Sequence, residues 1–282
     1  MSVQSTARPR GGARWLLAGH AWLVYAFFYI PIIVLFVYSF SGSRLVGQWE
    51  APTLEWYREV FENDNIQRSV WVSVRVAFFS TIISTVLGTM SALALERFRW
   101  RGRRVFDALL YMPLIIPDVT MAVMMLVFFV QAFDIIDSIF GTQFLLGFNT
   151  ILLSHIAFNI SFVAIVVRAR LASSDPTLEE AAADLYASRW QCFRRVTLPQ
   201  IMPGVLAGAL LALTVSLDDV VITSFVTGPG STTLPVYVFG LIKRGLSPAI
   251  NAVSVLMLVV SMALIFGSLL LQRVISRESS LD

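Results

Sequence analysis

The sequence predicts an all-α polytopic membrane protein with six transmembrane helices, and three observations carry that prediction. Hydrophobic residues make up 57% of the 282-residue chain and charged residues only 14%, where a soluble domain carries about 25% charged residues. The apolar residues gather in six runs, about 15–40, 70–95, 106–133, 145–168, 201–226 and 249–272. Each is near the ~20 residues that a helix needs to cross a bilayer. The basic residues gather between and beside these runs, a distribution that reads as membrane topology rather than nucleic-acid binding.

The elements follow in order. A tail, 1–14, carries Arg8, Arg10 and Arg14 ahead of the first run. That run is too long for a signal-peptide core and lacks a small-residue cleavage pattern, so it reads as a retained span. The segment TLEWYREVFEND before run two alternates aromatic and charged residues and predicts a short interfacial helix. Run two is the cleanest, with no charge across 76–95, and Arg75 at its edge is placed to snorkel. Pro31, Pro113, Pro117 and Pro203 interrupt other runs, which membranes tolerate when neighbouring helices re-satisfy the backbone. In run four, Asn149, His155 and Asn159 read as interhelical hydrogen-bond partners. In run five, Gly204 and Gly208 have the small-xxx-small spacing of close helix packing. After it, GPGSTTLPVYVFGLIKRGLS opens on a helix breaker, and residues 232–244 are too short to span, so they predict a re-entrant or surface helix. The membrane domain is thus 15–272, followed by a tail at 273–282.

Arginine placement sets the orientation. The loop 96–105 holds Arg97, Arg99, Arg101, Arg103 and Arg104; the loop 169–200 holds Arg170, Arg189, Arg194 and Arg195; the tail holds Arg273 and Arg277. The alternate loops are acidic, with Glu50, Glu55, Glu59, Glu62 and Asp64 in 41–69 and Asp134 and Asp137 in 134–144. The positive-inside rule places both termini and the first group of loops in the cytoplasm. Lys243 and Arg244 are the exception, in a segment assigned to the outside.

Several chemistries are excluded. Walker A needs Gly-Lys, and the single lysine, Lys243, follows Ile242. His20 and His155 show no HExxH spacing, there is no CxxC, and a lone Cys192 cannot form an internal disulfide. No metal site, no bound cofactor and no catalytic residue is expected in this chain.

The polar loop has its own helical pattern. Thr177 with Glu180 three residues on reads as a capping box and a helix start. Ala181, Ala182 and Ala183 favour helix and allow close approach of another surface. Trp190, Phe193 and Val196 recur at a spacing of three and give a second helix an apolar side. Pro199 closes this unit and Pro203 sits in the first turn of span five. The pattern predicts a helix-turn-helix protruding from the membrane.

This loop resembles the EAA coupling loop of ABC importer permeases, which runs Glu-Ala-Ala, then Gly, then a hydrophobic pair and Leu-Pro. Glu180, Ala181, Ala182, Asp184, Ala187, Phe193, Val196, Leu198 and Pro199 fit it. Tyr186 departs from it, standing where the family has the glycine of the turn. TLEWYREVF, MPLIIPDVTMAV and SLDDVVITSFVTGPGSTTLPVYVF look like the second permease of putrescine/spermidine importers. The resemblance implies the type I ABC importer permease fold in a bacterial inner membrane. It implies a homologous second permease, two ATP-binding subunits that hold ATP and Mg, and a periplasmic polyamine-binding protein as partners. Glu180, Ala181, Ala182, Asp184, Tyr186 and Ala187, with Phe193, Leu198 and Pro199, would form the ATPase-coupling surface. Other readings are a permease for a different small solute, or a secondary transporter, which would need an inverted repeat.

Three carboxylates fall inside the apolar runs. Asp118 lies about twelve residues into run three, ~18 Å at helical rise and near mid-depth. Asp218 and Asp219 lie ~21 Å beyond Gly204, towards the outer leaflet. A carboxylate at mid-membrane costs about 3 kcal/mol on insertion scales, so such groups face the bundle or a watery path. As candidates for the substrate path they suit a polyvalent cation. The alternative is local: Asp218 caps a helix break, and Asp118 satisfies amides freed by Pro117.

Overall fold

The computed structural model describes residues 11–44, 47–244 and 248–278. Residues 1–10 and 279–282 of the expected tails, and 245–247 of the expected outer segment, lie outside the described residues.

Helix α1 (Gly11–Tyr38) stands at the edge of the bundle, exposing its aromatic and branched side chains all round, as a helix surrounded by lipid or by another chain does. Its C-terminal end is tied back: the Ser39 hydroxyl meets the Tyr57 hydroxyl at 2.7 Å, and the Trp56 indole donates to the Ser41 carbonyl at 2.6 Å. Both partners belong to α2 (Glu55–Glu62), the short amphipathic helix that buries Trp56 and Val60.

Helix α3 (Asp64–Arg97) starts at an Asn63 cap that accepts from the amides of Asn65 and Ile66. Its buried positions Val76, Ser80, Ser84, Gly88, Ala92 and Leu95 recur every three or four residues. They mark one face of a helix.

The apolar stretch 106–133 is two helices where the sequence reads as one. Helix α4 runs Arg103–Ile115 and α5 runs Asp118–Phe140. Pro117 has no amide hydrogen to donate and disfavours the helical region for the residue before it. Ile116 accordingly turns extended, with φ −74° and ψ 131°. Asp118 is therefore the first residue of a helix and exposed, not a group near the middle of one.

Helix α6 (Phe148–Ala172) is the centre of the molecule, and α3, α6 and α9 form the core. Two glycines let the three approach. A methyl group on Gly88 of α3 would meet Val163 Cβ of α6 at 2.7 Å, and one on Gly204 of α9 would meet Arg170 Cβ at 2.6 Å.

Between α6 and α9 the chain forms α7 (Thr177–Asp184), α8 (Arg189–Cys192) and a π-helical turn, Phe193–Thr197. Helix α9 (Leu198–Asp218) continues directly from that turn, with Pro199 and Pro203 inside its apolar stretch. It also stops early. Asp219 is extended, with φ −67° and ψ 123°, and a separate short helix α10 (Val221–Val226) follows. The expected fifth span, 201–226, thus ends in a break. Helix α11 (Leu234–Arg244) is held to α3 where the Ser73 hydroxyl accepts from the Leu234 amide, and α12 (Pro248–Glu278) packs on α1, α2 and α9. Among the described residues five helices are long and apolar enough to cross a membrane, and α12 is apolar over Ala249–Ala263.

Candidate coupling surface and polar interior

The polar loop folds as a helix-turn-helix. Helix α7 begins at Thr177, but without the Thr177–Glu180 capping box. Asp175 takes that role: its Oδ1 accepts from the Thr177 amide at 2.9 Å and the Thr177 hydroxyl at 2.8 Å. Those two hydrogen bonds hold the Asp175 carboxyl below its ordinary range. A two-residue offset explains the difference, because Pro176 occupies the capping position and its ring carries no hydrogen-bonding group. A capping box does occur at α8, where Ser188 Oγ accepts from the Gln191 amide and Gln191 Oε1 accepts from the Ser188 amide.

Helix α7 ends in a Schellman motif. The Ala187 amide reaches back to the Ala182 carbonyl, and the Tyr186 amide to the Ala183 carbonyl. This closure requires one residue in the left-handed region, usually glycine. Here it is Tyr186, at φ 59°, and among the described residues it is the one non-glycine with positive φ. The turn keeps its geometry, and tyrosine bears the strain that glycine would avoid.

The surface so built is apolar at its tip. Leu185 is 82% exposed, Tyr186 97% and Trp190 66%. Trp190 packs on Phe193 with ring centroids 5.6 Å apart. A concavity of about 460 Å³ opens between the two helices, lined by Ala182, Leu185, Tyr186, Ala187, Gln191 and Arg195 among others. Of the residues singled out for coupling, Ala182, Tyr186 and Ala187 line this concavity, while Glu180, Ala181 and Asp184 lie exposed on α7. Phe193 is half-buried in the π turn, Leu198 packs against the core around Val163 and Ile201, and Pro199 is exposed.

The sequence reading missed what fastens this loop. Both oxygens of Glu179 bond the guanidinium of Arg97 at the end of α3, and Glu179 Oε1 accepts from the Thr197 hydroxyl at 2.6 Å. The Arg97 guanidinium holds the Glu179 carboxyl below the usual glutamate range, against the opposing effect of burial. Arg170 donates to the Gln200 carbonyl at 2.9 Å. A second cluster lies beside it: Arg168 of α6 bonds Glu96 of α3 at 2.9 Å and Asp107 of α4 at 2.5 Å. The adjacent pair Glu179–Glu180 was the available signal, since neighbours on a helix point ~100° apart and serve different partners.

At the far end of α9 a buried polar chain crosses four helices. His155 of α6 is fully buried. Its Nδ1 meets Ser216 Oγ at 2.7 Å and its Nε2 meets Thr223 Oγ1 at 2.9 Å. Ser216 in turn meets Ser80 of α3 at 3.1 Å, and the Thr223 hydroxyl donates to Asp219 Oδ2 at 2.7 Å. A neutral imidazole with its hydrogen on Nε2 satisfies every link: it accepts from Ser216 and donates to Thr223. Asp219 also accepts from the amides of Ile222 and Thr223, so it caps α10. The cap assigned from sequence to Asp218 thus belongs to Asp219. One turn along α6, Asn159 is fully buried, and neither of its polar side-chain atoms has a protein partner among the described residues.

The three intramembrane carboxylates do not come together as a group. Asp219 is engaged in the cap. Asp118 sits exposed at the start of α5. Asp218 is exposed and borders a largely apolar cavity of about 310 Å³, with Ile66, Val70, Val74, Val253 and Met257 among its walls. Arg75 does more than snorkel: its guanidinium lies 5.3 Å from the Phe148 ring centroid.

A bundle of apolar helices with a protruding helix-turn-helix between its fourth and fifth long helices is the form of a transport permease. The model of the family of binding-protein-dependent transport system inner membrane components matches residues 84–280, and the chain belongs to that family. Membership removes the secondary-transporter alternative. The chain is 39% identical over 260 residues to the spermidine/putrescine transport system permease protein PotC of Escherichia coli (strain K12), covering 92% of this chain and 95% of that one. It is 40% identical over 237 residues to the putrescine transport system permease protein PotI of the same strain, covering 84% and 83%. A bacterial ABC transporter involved in the import of the acidic polysaccharide alginate shares the fold, with a TM-score of 0.72 at 19% identity over 93% of this chain and 98% of that one.

Proposed function

We propose that the chain is the membrane-spanning permease subunit of an ATP-driven importer that carries polyamines of the putrescine and spermidine type into the cytoplasm. The observation that carries this is the 39% identity to a spermidine/putrescine permease over 92% of the chain. The chain supplies half of a translocation path and pairs with a homologous permease. Two ATP-binding subunits, which hold ATP and Mg, dock on the α7–α8 surfaces of the two permeases. A periplasmic polyamine-binding protein delivers substrate to the opposite end. Both termini are cytoplasmic, on the side of α7.

The chemistry of the exposed groups supports the reading. Asp218 places a carboxylate beside apolar walls, which suits a cation whose charges are separated by methylene groups. Weak, distributed sites of this kind replace hydration without holding the ion so tightly that release stalls. Asp118 is a second candidate along the path.

The test is uptake of labelled putrescine and spermidine into proteoliposomes holding the full complex, with and without ATP. ATP-dependent uptake of either amine supports the proposal. ATP-dependent uptake of another small solute but of neither amine leaves the permease reading and sinks the substrate. Glu180→Lys reverses the charge at the docking surface. It is expected to lower ATPase association and substrate-stimulated hydrolysis at least about tenfold while the permease stays in the membrane. Wild-type values for both would show that the exposed face of α7 is not where the ATPase docks.

A further inference from the structure

We propose that Glu179 transmits movement of α7 to the helix bundle, its carboxylate clamping α7 to the end of α3 through Arg97 and to the start of α9 through Thr197. The inference rests on the reading of the chain as an ATP-driven permease, and it names the residue through which the docked loop acts.

The geometry separates two jobs on one short helix. Glu180 is exposed on α7, as a docking residue needs to be. Glu179, one residue earlier, is turned inward, with a side chain 20% exposed. It engages two partners on two different helical elements. Thr197 is 4% exposed, so its hydroxyl has no alternative in bulk water. Exposed surface ion pairs contribute little. A two-oxygen pair to a guanidinium that also accepts a buried hydroxyl is a stronger and more directional tie.

Its position gives the tie a consequence. Helix α7 packs chiefly on the π turn and on α8 rather than on the membrane helices. A push on α7 alone would swing it about the short turn at 173–176. The Glu179 clamp instead joins it to α3 and α9, two of the three core helices. Thr197 is the last residue of the π turn, in which the Leu198 amide bonds the Phe193 carbonyl. Such turns hold one residue more than an α-helical turn, and they concentrate at functional sites. A tie placed there acts where the start of α9 is already wound differently from the rest. The neighbouring Glu96–Arg168–Asp107 cluster holds α3, α4 and α6 together independently, so breaking the clamp leaves the bundle braced. Arg97 keeps Glu179 ionised. Because its carboxyl is depressed, the stabilisation is full above the ordinary glutamate range and is lost only as pH falls through the lowered value.

The experiment measures uptake per ATP hydrolysed in proteoliposomes of the full complex. Glu179→Gln keeps the shape and the Thr197 acceptor but loses the ion pair. ATPase association and basal hydrolysis should stay within about twofold of wild type, while uptake per ATP falls about tenfold. Glu179→Arg should do worse, and the swap Arg97→Glu with Glu179→Arg should recover a large part of the loss. Wild-type uptake per ATP in Glu179→Gln overturns the clamp. So does a swap no better than Glu179→Arg alone in assembled complexes, and so does loss of ATPase association in Glu179→Gln, which would make Glu179 a docking residue. Should Glu179→Gln fail to fold into the membrane, Thr197→Val removes the other arm at nearly constant volume, and the same ratio decides. A wild-type complex that hydrolyses ATP without moving any solute would overturn the permease reading instead.

Discussion

The two ends of α9 solve the same problem in opposite ways. At each end the helix departs from regular winding, into the π turn Phe193–Thr197 at one and into the break at Asp219 at the other. Each departure is held by a carboxylate that takes a threonine hydroxyl, Glu179 with Thr197 and Asp219 with Thr223. The surroundings differ. Asp219 is enclosed with a fully buried histidine, and its partners lie on α10 and α6. Glu179 faces an arginine that is 36% exposed, across a loop in contact with solvent. A buried polar chain is costly to open, because each group left unpaired keeps its full desolvation penalty. The Arg97–Glu179 pair, with side chains 36% and 20% exposed, can be strained with water standing in at the guanidinium. The far end is therefore the costlier of the two to open, and the α7 end is the one that the proposed clamp would let move.

The comparison breaks most visibly at His155. His155→Ala removes the acceptor for Ser216 and the donor for Thr223 and leaves a void. It is expected to cost about 3 kcal/mol or more, through unpaired buried groups and lost packing together. Thermal unfolding of the purified complex in detergent should show a larger loss for His155→Ala than for a change at any other member of the buried chain. Ser80→Ala, at the end of that chain, removes one link and should cost about 1 kcal/mol. Equal melting of both variants with wild type would mean that the buried chain does not hold the far end.

The adjacent aspartates sharpen the same point. Asp219→Ala deletes the cap on α10 and should cost about 1–2 kcal/mol, the usual worth of a capping side chain. Asp218→Asn should leave stability within about 0.5 kcal/mol, as surface changes do, while slowing polyamine uptake. The two measurements are melting temperature and uptake rate on the same preparations. If Asp218→Asn transports normally, the exposed carboxylate has no part in the path and only the structural role of its neighbour remains.

Much of this was legible in the sequence, and the parts that were not have physical reasons. Long apolar runs and arginine-rich loops signal helices that need no side-chain detail. Run two is free of charge across 76–95, and α3 covers it. The loop's helices followed from alanine content and the spacing of Trp190, Phe193 and Val196. Hydropathy cannot see where a helix breaks, because the breaks at Pro117–Asp118 and Asp218–Asp219 each lie between long apolar stretches. The run 106–133 therefore reads as one helix, with Asp118 in its middle. The choice between Glu179 and Glu180 depends on which of two adjacent side chains meets a partner far along the chain, whereas Asp219 differs from Asp218 in capping amides three and four residues on. Arg97 lies 82 residues from Glu179, and no local pattern carries that information. The sequence reading names Glu180 alone of the two glutamates and both of the aspartates; a distant arginine singles out Glu179, and a local cap singles out Asp219.

The smallest expected effect concerns Tyr186. A left-handed backbone costs a residue with a Cβ ~1–2 kcal/mol, whereas glycine adopts it freely but loses more chain entropy on folding, ~0.5–1 kcal/mol. The net gain for Tyr186→Gly then lies between zero and about 1.5 kcal/mol and is confined to the loop. Amide hydrogen exchange should detect it as slower exchange at positions 186 and 187, whose amides close the Schellman motif. Uptake should be unchanged or slightly raised. The side chain is 97% exposed and makes no contribution to the fold that would resist its removal. A strained aromatic in the proposed docking surface has one other justification, which is contact with the partner. A fall of about tenfold or more in ATPase association, with the loop still better protected, would show that the strain is borne for that contact. It would also make the tip of the loop, rather than the exposed face of α7 around Glu180, the principal anchor.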